Sequence, residues 1–336
     1  MAKTAAIAAA FGCLWLAPSR AAAQSFESIG TRAQGMGGAF VAVADDATAV
    51  YWNPAGLALN GTSLSMVIDG SEGKATPDEL DRAGRRSGSI VAFGTPPLGL
   101  WYYRLSATSL TPGGTPLDTS RIHLQRLVTH HAGITLVQSL TSHRSPVHVA
   151  VGTSLKLVRG IAADGLVAER GARDDLLEDA GNLPDVASTK FDTDIGVLAQ
   201  FSTLRVGVTA RNLREAEFKT AGANSLELKR QTRAGMAYVG VDGLILSADI
   251  DLERAAGSLG EVRNFAAGAE AHILPRAFVR GGLRFNTLSD QPGGHAAVFS
   301  VGGGFATFRS LIIDAHATLG SDTGDRGWGV AARLVY

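Results

Sequence analysis

The feature that most constrains this chain is an alternation of period two, repeated many times and each time for about ten residues. Leu244, Leu246, Ala248, Ile250 and Leu252 share one face, with Ser247, Asp249, Asp251 and Glu253 on the other. Leu311, Ile313, Ala315, Ala317 and Leu319 oppose Asp314, His316 and Thr318. Leu204, Val206, Val208 and Ala210 oppose Arg205, Thr209 and Arg211, and Ala277, Val279, Gly281, Leu283 and Phe285 oppose Arg280, Arg284 and Asn286. Phe265 to Ile273 repeats the pattern against Glu270 and His272. Successive side chains of a strand point to opposite faces, so these are strands with one apolar and one polar side.

The strands are expected at 62–69, 87–94, 98–109, 128–141, 146–159, 189–201, 203–212, 226–239, 243–254, 263–273, 276–287, 295–306, 309–320 and 326–336. That is about fourteen, an even number, at lengths suited to a tilted membrane strand. Their connections alternate. Short ones include 142–145, 240–242, 274–275 and 307–308; long ones include 70–86, 110–127, 160–188 and 213–225. Outer-membrane barrels have short periplasmic turns and longer external loops, whereas a soluble sandwich has no reason to keep that parity. The expectation is an all-β protein, a roughly 14-stranded antiparallel transmembrane barrel in the bacterial outer membrane, surrounded by its lipid.

Composition agrees. Charged residues are 18% of 336, below the ~25% usual for soluble domains, and glycine contributes 41. Basic and acidic residues balance at 31 each, so no field favours nucleic acid. Beyond the first residues no apolar run approaches the ~20 that a membrane helix needs. The last strand alternates Trp328, Val330, Ala332, Leu334 and Tyr336, ending on an aromatic, as the barrel-assembly machinery would read it during biogenesis.

Residues 1–23 read as a secretory signal peptide: Lys3, an apolar stretch from Ala5 to Ala17, then Ala21-Ala22-Ala23 as a cleavage site. Cys13 is the only cysteine, so the mature chain is expected to have neither disulfide nor thiolate chemistry. Residues 24–61 then form a segment separate from the barrel at 62–336.

Within that segment lies the least ordinary stretch of the chain, Gly35 to Leu57: GMGGAFVAVADDATAVYWNPAGL. Arg32, Gly35-Met36-Gly37-Gly38-Ala39-Phe40, Asp45-Asp46 and Tyr51-Trp52-Asn53-Pro54-Ala55-Gly56 together resemble the N-terminal signature of the FadL-like outer-membrane barrels, and are closest to the PorV-like branch. The resemblance implies fourteen strands with the N-terminal segment folded inward as a hatch. It also implies uptake or passage of hydrophobic, fatty-acid-like small molecules across the outer membrane. The alternative is a PorV-like accessory or scaffold of a protein-secretion system, with a secreted protein as partner. A transporter would need an apolar cavity beside the hatch and an interruption in the wall, placed here near Gly94 to Gly99.

The hatch positions are Gly35, Met36, Gly37, Gly38, Phe40, Asp45, Asp46, Tyr51, Trp52, Asn53, Pro54 and Gly56. Inside a barrel Asp45 and Asp46 need cationic partners, and Arg205, Arg211, Arg233, Arg280 and Arg284 lie on inward faces. Asp192, Asp194, Asp249, Asp251, Glu270, His272, Asp314 and His316 join them there, as a polar channel or as ion pairs holding a narrow barrel closed. Trp101-Tyr102-Tyr103 reads as an interfacial girdle, His130-His131 as rim residues, and 166–180 as an amphipathic helix that lids the mouth or stays a solvated surface. No G-x-S-x-G elbow, H-E-x-x-H or P-loop occurs, so no enzyme, metal or cofactor is expected.

Overall fold

Fourteen strands pair antiparallel with their sequence neighbours and close on themselves. They are β1 Ser65–Ala75, β2 Ala83–Thr95, β3 Leu98–Pro112, β4 Arg121–Ser139, β5 Val147–Ala168, β6 Asp185–Phe201 and β7 Leu204–Arg211. The second half comprises β8 Gln231–Val241, β9 Leu244–Asp251, β10 Asn264–Leu274, β11 Ala277–Asn286, β12 Ala297–Ala306, β13 Leu311–Gly320 and β14 Arg326–Val335. β14 closes on β1 from Arg326↔Lys74 to Val335↔Ser65, and Leu64 and Tyr336 exchange both backbone bonds at 2.9 Å. The structure is a computed structural model describing residues 20–21, 29–60, 63–76, 82–113, 121–142, 145–168, 172–222, 224–257, 259–288, 296–308, 310–321 and 324–336. Apart from residues 20–21, the expected leader 1–23 lies outside them.

Tight turns at 96–97, 202–203, 242–243 and 275–276 join strands at one end, and the long connections gather at the other. Outward parity carries a belt of exposed apolar side chains, among them Ile68, Phe93, Leu100, Leu157, Phe299 and Val301, which water would not tolerate as so large a patch. No wall interruption exists near Gly94 to Gly99: these two glycines are directly paired, and Thr95↔Leu98 continues the ladder to the turn.

The outer ends of β2, β4, β5 and β6 run further than the alternation predicts; β5 reaches Ala168 and β4 begins at Arg121. The period-two cue fails there because both faces of the sheet are covered. Helix α3 (Arg173–Asp179 in this chain) sets Leu176 and Leu177 against Ala83, Leu110, Ile122 and Leu124. Leu110, Ile122 and Leu124 share parity with lipid-facing Leu100, Tyr102 and Ile134, so the helix braces the outside of the raised wall instead of lidding the mouth. Lys74–Asp174 and Arg85–Glu178 ion pairs fasten it. On the inner face, Leu127, Val158 and Ala162 are covered by Phe218.

Phe218 belongs to a small hairpin, Glu217–Lys219 with Ser225–Glu227, formed where the pattern predicts the start of a wall strand at 226. On β5, Gly152 touches Pro54 and Ala55, while Gly160, eight residues nearer the outside, touches the Phe218 ring. The hairpin is thus a second plug above the N-terminal one. An epitope inserted at Asp174 is expected to label on intact cells. Labelling only after permeabilisation would reverse the orientation.

Candidate functional site

Residues 29–60 thread the lumen as a short helix α1 (Thr31–Gly35), a turn through Gly37 and Gly38 at φ 70° and 85°, a helical turn α2 (Ala49–Trp52) and a 3-10 stretch Pro54–Asn60. With elements numbered in chain order, these precede the wall, and helix Arg173–Asp179 is α3. Irregular backbone at this depth must find partners within the protein. The wall's polar faces supply them. Asp69 of β1 accepts from the Gly30 and Thr31 amides at 3.3 and 2.5 Å, capping α1 from another element. Asp249 accepts from Phe40 and Val41 at 2.8 and 2.9 Å, Ser65 from Ala47 at 3.0 Å, and Ser247 donates to the Ala39 carbonyl at 2.7 Å.

Asn53 joins hatch to wall through three hydrogen bonds of one side chain. Its amide nitrogen donates to the Val41 carbonyl of the hatch at 2.9 Å and to the Val197 carbonyl of β6 at 3.2 Å. Its oxygen accepts from Ala55 at 3.1 Å, fixing the Asn-Pro-Ala turn. The side chain fits because the wall is bare: a Cβ on Gly196 would lie 2.0 Å from the Asn53 oxygen, and one on Gly207 2.9 Å from its nitrogen. Pro54 and Gly56 follow in the same notch, Gly56 against the Ala44 carbonyl.

The two hatch aspartates join a closed circuit of alternating charge. Arg32 reaches Asp46 at 3.1 Å, Asp46 reaches Arg333 at 3.5 Å, and Arg333 reaches Asp314 at 2.6 Å. Asp314 holds Arg280 at 2.7 Å, Arg280 holds Glu270 at 2.5 Å, and Glu270 returns to Arg32 at 2.8 Å. Asp45 hangs from this ring, paired with Arg32 at 2.5 Å and Arg205 at 3.5 Å. Three arginines and three carboxylates cancel inside a nearly dry lumen, tying hatch to β10, β11, β13 and β14. Burial alone would raise the Asp46 carboxyl, but Arg32, Arg333 and the Thr48 hydrogen bonds hold it below its ordinary value.

The other predicted arginines lie elsewhere. Arg233 pairs with Asp251 at 2.6 Å and donates to the Gly38 carbonyl at 3.3 Å; Arg284 lies 3.7 Å from Asp325 in the outer loop before β14. Arg211 does not pair with the hatch aspartates: its guanidinium lies 3.6 Å from the Tyr51 ring centre. The pairs predicted from faces alone omitted Arg32 itself, Arg333, Asp69 and Lys156, which meets Asp194 at 2.5 Å. Arg333 and Lys156 were legible as the polar alternates of apolar strands. Asp69, at an expected strand end, was not.

Around Tyr51 and Trp52 the lumen is aromatic. Trp101 and Tyr103 face inward, correcting the girdle reading: alternation sends only Tyr102 to lipid. Tyr103 stacks between Trp101 at 5.1 Å and His131 at 4.3 Å and meets Tyr51 edge-on at 5.3 Å. Nor are the histidines at a rim: both lie within β4, His131 buried in the lumen and His130 outward. His272 does lie at a strand end, exposed against Phe278. Met36, Phe40, Val43, Val50, Tyr51, Trp52 and Leu57 pack on Val67, Ile90, Trp101, Tyr103 and Leu105 as one apolar cluster. The larger spaces lie further out, including a cleft of about 790 Å³ lined by Arg82, His123, Gln125, Asp164, Leu166 and Asn224. Among the described residues no three metal-ligating side chains converge.

A family model described as the F plasmid transfer operon protein TraF matches residues 87–251, just under half of the chain. A search of curated proteins finds no match. Among solved structures, the chain is similar to the Ralstonia pickettii toluene transporter TbuX, at 15% identity and a TM-score of 0.60, covering 93% of this chain and 98% of that one. The CymD monoaromatic hydrocarbon channel gives 13% identity and 0.62, with the same coverage. A Pseudomonas aeruginosa FadL homologue gives 9% and 0.59, over 94% of this chain and 99% of its own. At such identities it is the fold that is shared, and in strand number, closure and inward N-terminal segment this chain has the fold of the FadL-like outer-membrane barrels.

Proposed function

We propose that this protein sits in the bacterial outer membrane and passes hydrophobic, fatty-acid-like small molecules, without enzymatic chemistry. The observation that carries the reading is the apolar hatch–wall cluster around Phe40, Tyr51, Trp52 and Trp101 within this particular fold. Two of the similar proteins are described as a toluene transporter and a monoaromatic hydrocarbon channel, and a third as a FadL homologue. A passenger entering from the outer cleft meets the Phe218 hairpin before the hatch, so the hairpin is the element that must give way. Apolar contacts seat Phe218 over Leu127, Val158 and Ala162, and an Asn224–Asp164 hydrogen bond ties its hairpin to the wall, a lighter attachment than the charged ring below.

Native mass spectrometry of the detergent-purified protein tests this. A retained apolar molecule, displaced by an added long-chain fatty acid, is the expected result. An empty barrel with a stoichiometric protein partner would overturn it in favour of the secretion role.

A further inference from the structure

The outward face of the raised wall carries two arginines flanking a histidine, and among the described residues no acid pairs with either arginine. Arg104 of β3, His130 of β4 and Arg159 of β5 are direct cross-strand partners, Arg104↔His130 and His130↔Arg159. Side chains opposite one another on neighbouring strands stand about 5 Å apart, so each guanidinium stands beside the imidazole between them. Their parity is that of the lipid-facing side chains. The rows immediately below are apolar and in the same register: Tyr102, Ala132 and Leu157, then Leu100, Ile134 and Leu155. The cations therefore sit where the belt ends on the side of the long loops, the outer leaflet.

Three further observations bear on what such a row is for. Among the described residues neither Arg104 nor Arg159 has an acidic partner, whereas Lys74 and Arg85, on the same outer surface, are matched by Asp174 and Glu178 of α3. Tyr102 and His130 are hydrogen-bonded at 2.7 Å, holding the imidazole in the row instead of letting it swing away. The same register continues into hydroxyls on both sides, Ser89 beside Arg104 and Thr189 beside Arg159, both exposed. Two guanidiniums, an imidazole and two hydroxyls thus form a strip of donors along the membrane surface. Arginine forks match phosphate oxygens, and a basic strip at a membrane interface attracts anionic headgroups.

We infer that Arg104, His130 and Arg159, flanked by Ser89 and Thr189, form a docking strip for the phosphates of an outer-leaflet lipid A headgroup, whose acyl chains would lie along Leu100, Tyr102, Ile134, Leu155 and Leu157. The inference rests on the outer-membrane placement proposed above, though not on transport. It explains why two arginines flank one histidine on this face while other cations on the same surface are neutralised by the chain itself.

The test is a titration of the folded, delipidated protein in detergent with bisphosphorylated lipid A and with its dephosphorylated form, read by thermophoresis. The expected result is a preference of about tenfold to thirtyfold for the phosphorylated lipid, abolished in the double variant Arg104→Gln, Arg159→Gln and kept in Lys74→Gln, Arg85→Gln. Equal binding of both lipids by the unaltered protein, or a preference that survives in the Arg104, Arg159 variant, would overturn it. Should the double variant fail to fold, Arg159→Gln alone, at an exposed position, must still reduce the preference. A barrel that prefers phosphorylated lipid A but never yields a hydrophobic ligand would sink the transport reading and leave this one standing.

Discussion

Replacing Arg32 by alanine is expected to loosen the hatch by about 3–5 kcal/mol, because the change leaves buried Glu270 and Asp46 each short of a counter-charge. Neither carboxylate can turn to water: both side chains are 3% exposed. The strands themselves stay paired, since Glu270 keeps Arg280 and Asp46 keeps Arg333. The expected signature is therefore selective. Heat-modifiable gel mobility should still report a closed barrel with a lowered melting temperature. Limited proteolysis should now cut within 29–60, and single-channel recordings in planar bilayers should show openings absent from the unaltered protein. Lysine at position 32 should recover only part of the loss, because a point charge cannot serve Glu270 with two parallel bonds as the guanidinium does at 2.8 Å each. An Arg32→Ala protein with unchanged melting and a protected hatch would mean the ring carries no net stabilisation.

The ring also has a pH sense. Asp46 is held below its ordinary value of 3.8, so its contribution is complete above that value and disappears only as pH falls through the lower folded one. Mild acidification should leave the Arg32–Asp46 pair intact, so buffers near neutrality should not mimic the loss of that pair in Arg32→Ala.

Adding a side chain at Gly196 is expected to unseat the Asn53 turn of the hatch. Valine there would put its Cβ 2.0 Å from the Asn53 oxygen, far inside contact distance and against a side chain pinned by three hydrogen bonds. The Asn53 turn must then withdraw, stranding the Val41 carbonyl and Ala55 amide, at about 1–3 kcal/mol for each buried group left unpaired. Asn53→Ala should show the milder loss of the same partners without the clash. Gly70→Val is the control, since a Cβ there meets nothing within 4 Å. Folding yield, melting temperature and hatch proteolysis should rank Gly70→Val, Asn53→Ala and Gly196→Val in order of increasing damage. A Gly196→Val protein that behaves like the Gly70 control would show that the hatch does not depend on this notch.

Much of the architecture was legible in the residues alone because a strand's period of two is a local property. It tells which face each side chain takes, and loop lengths then tell which end of the barrel is which. Arg280, Glu270, Asp249 and Asp314 could be assigned to the lumen in this way. Where both faces are apolar, as in Ile122 to Val128, the same cue goes silent, and β4 and β5 outran their expected ends. Trp101 and Tyr103 were misplaced for the opposite reason: an aromatic triplet was read as a composition when alternation would have divided it.

What no local pattern contains is which inward side chain meets which. Arg32 and Glu270 are 238 positions apart, and Phe40 and Asp249 are 209. Those meetings depend on the curvature of the closed sheet and on the path of an irregular segment across its interior. The wall's inward glycines decide that path by leaving room, and its carboxylates and hydroxyls by offering partners for buried amides. The residues thus specified the container. The seating of the hatch, the inward fold of the Phe218 hairpin and the outward fold of α3 were decided only by closure, which brings distant strands around one lumen where buried charges find partners far along the chain.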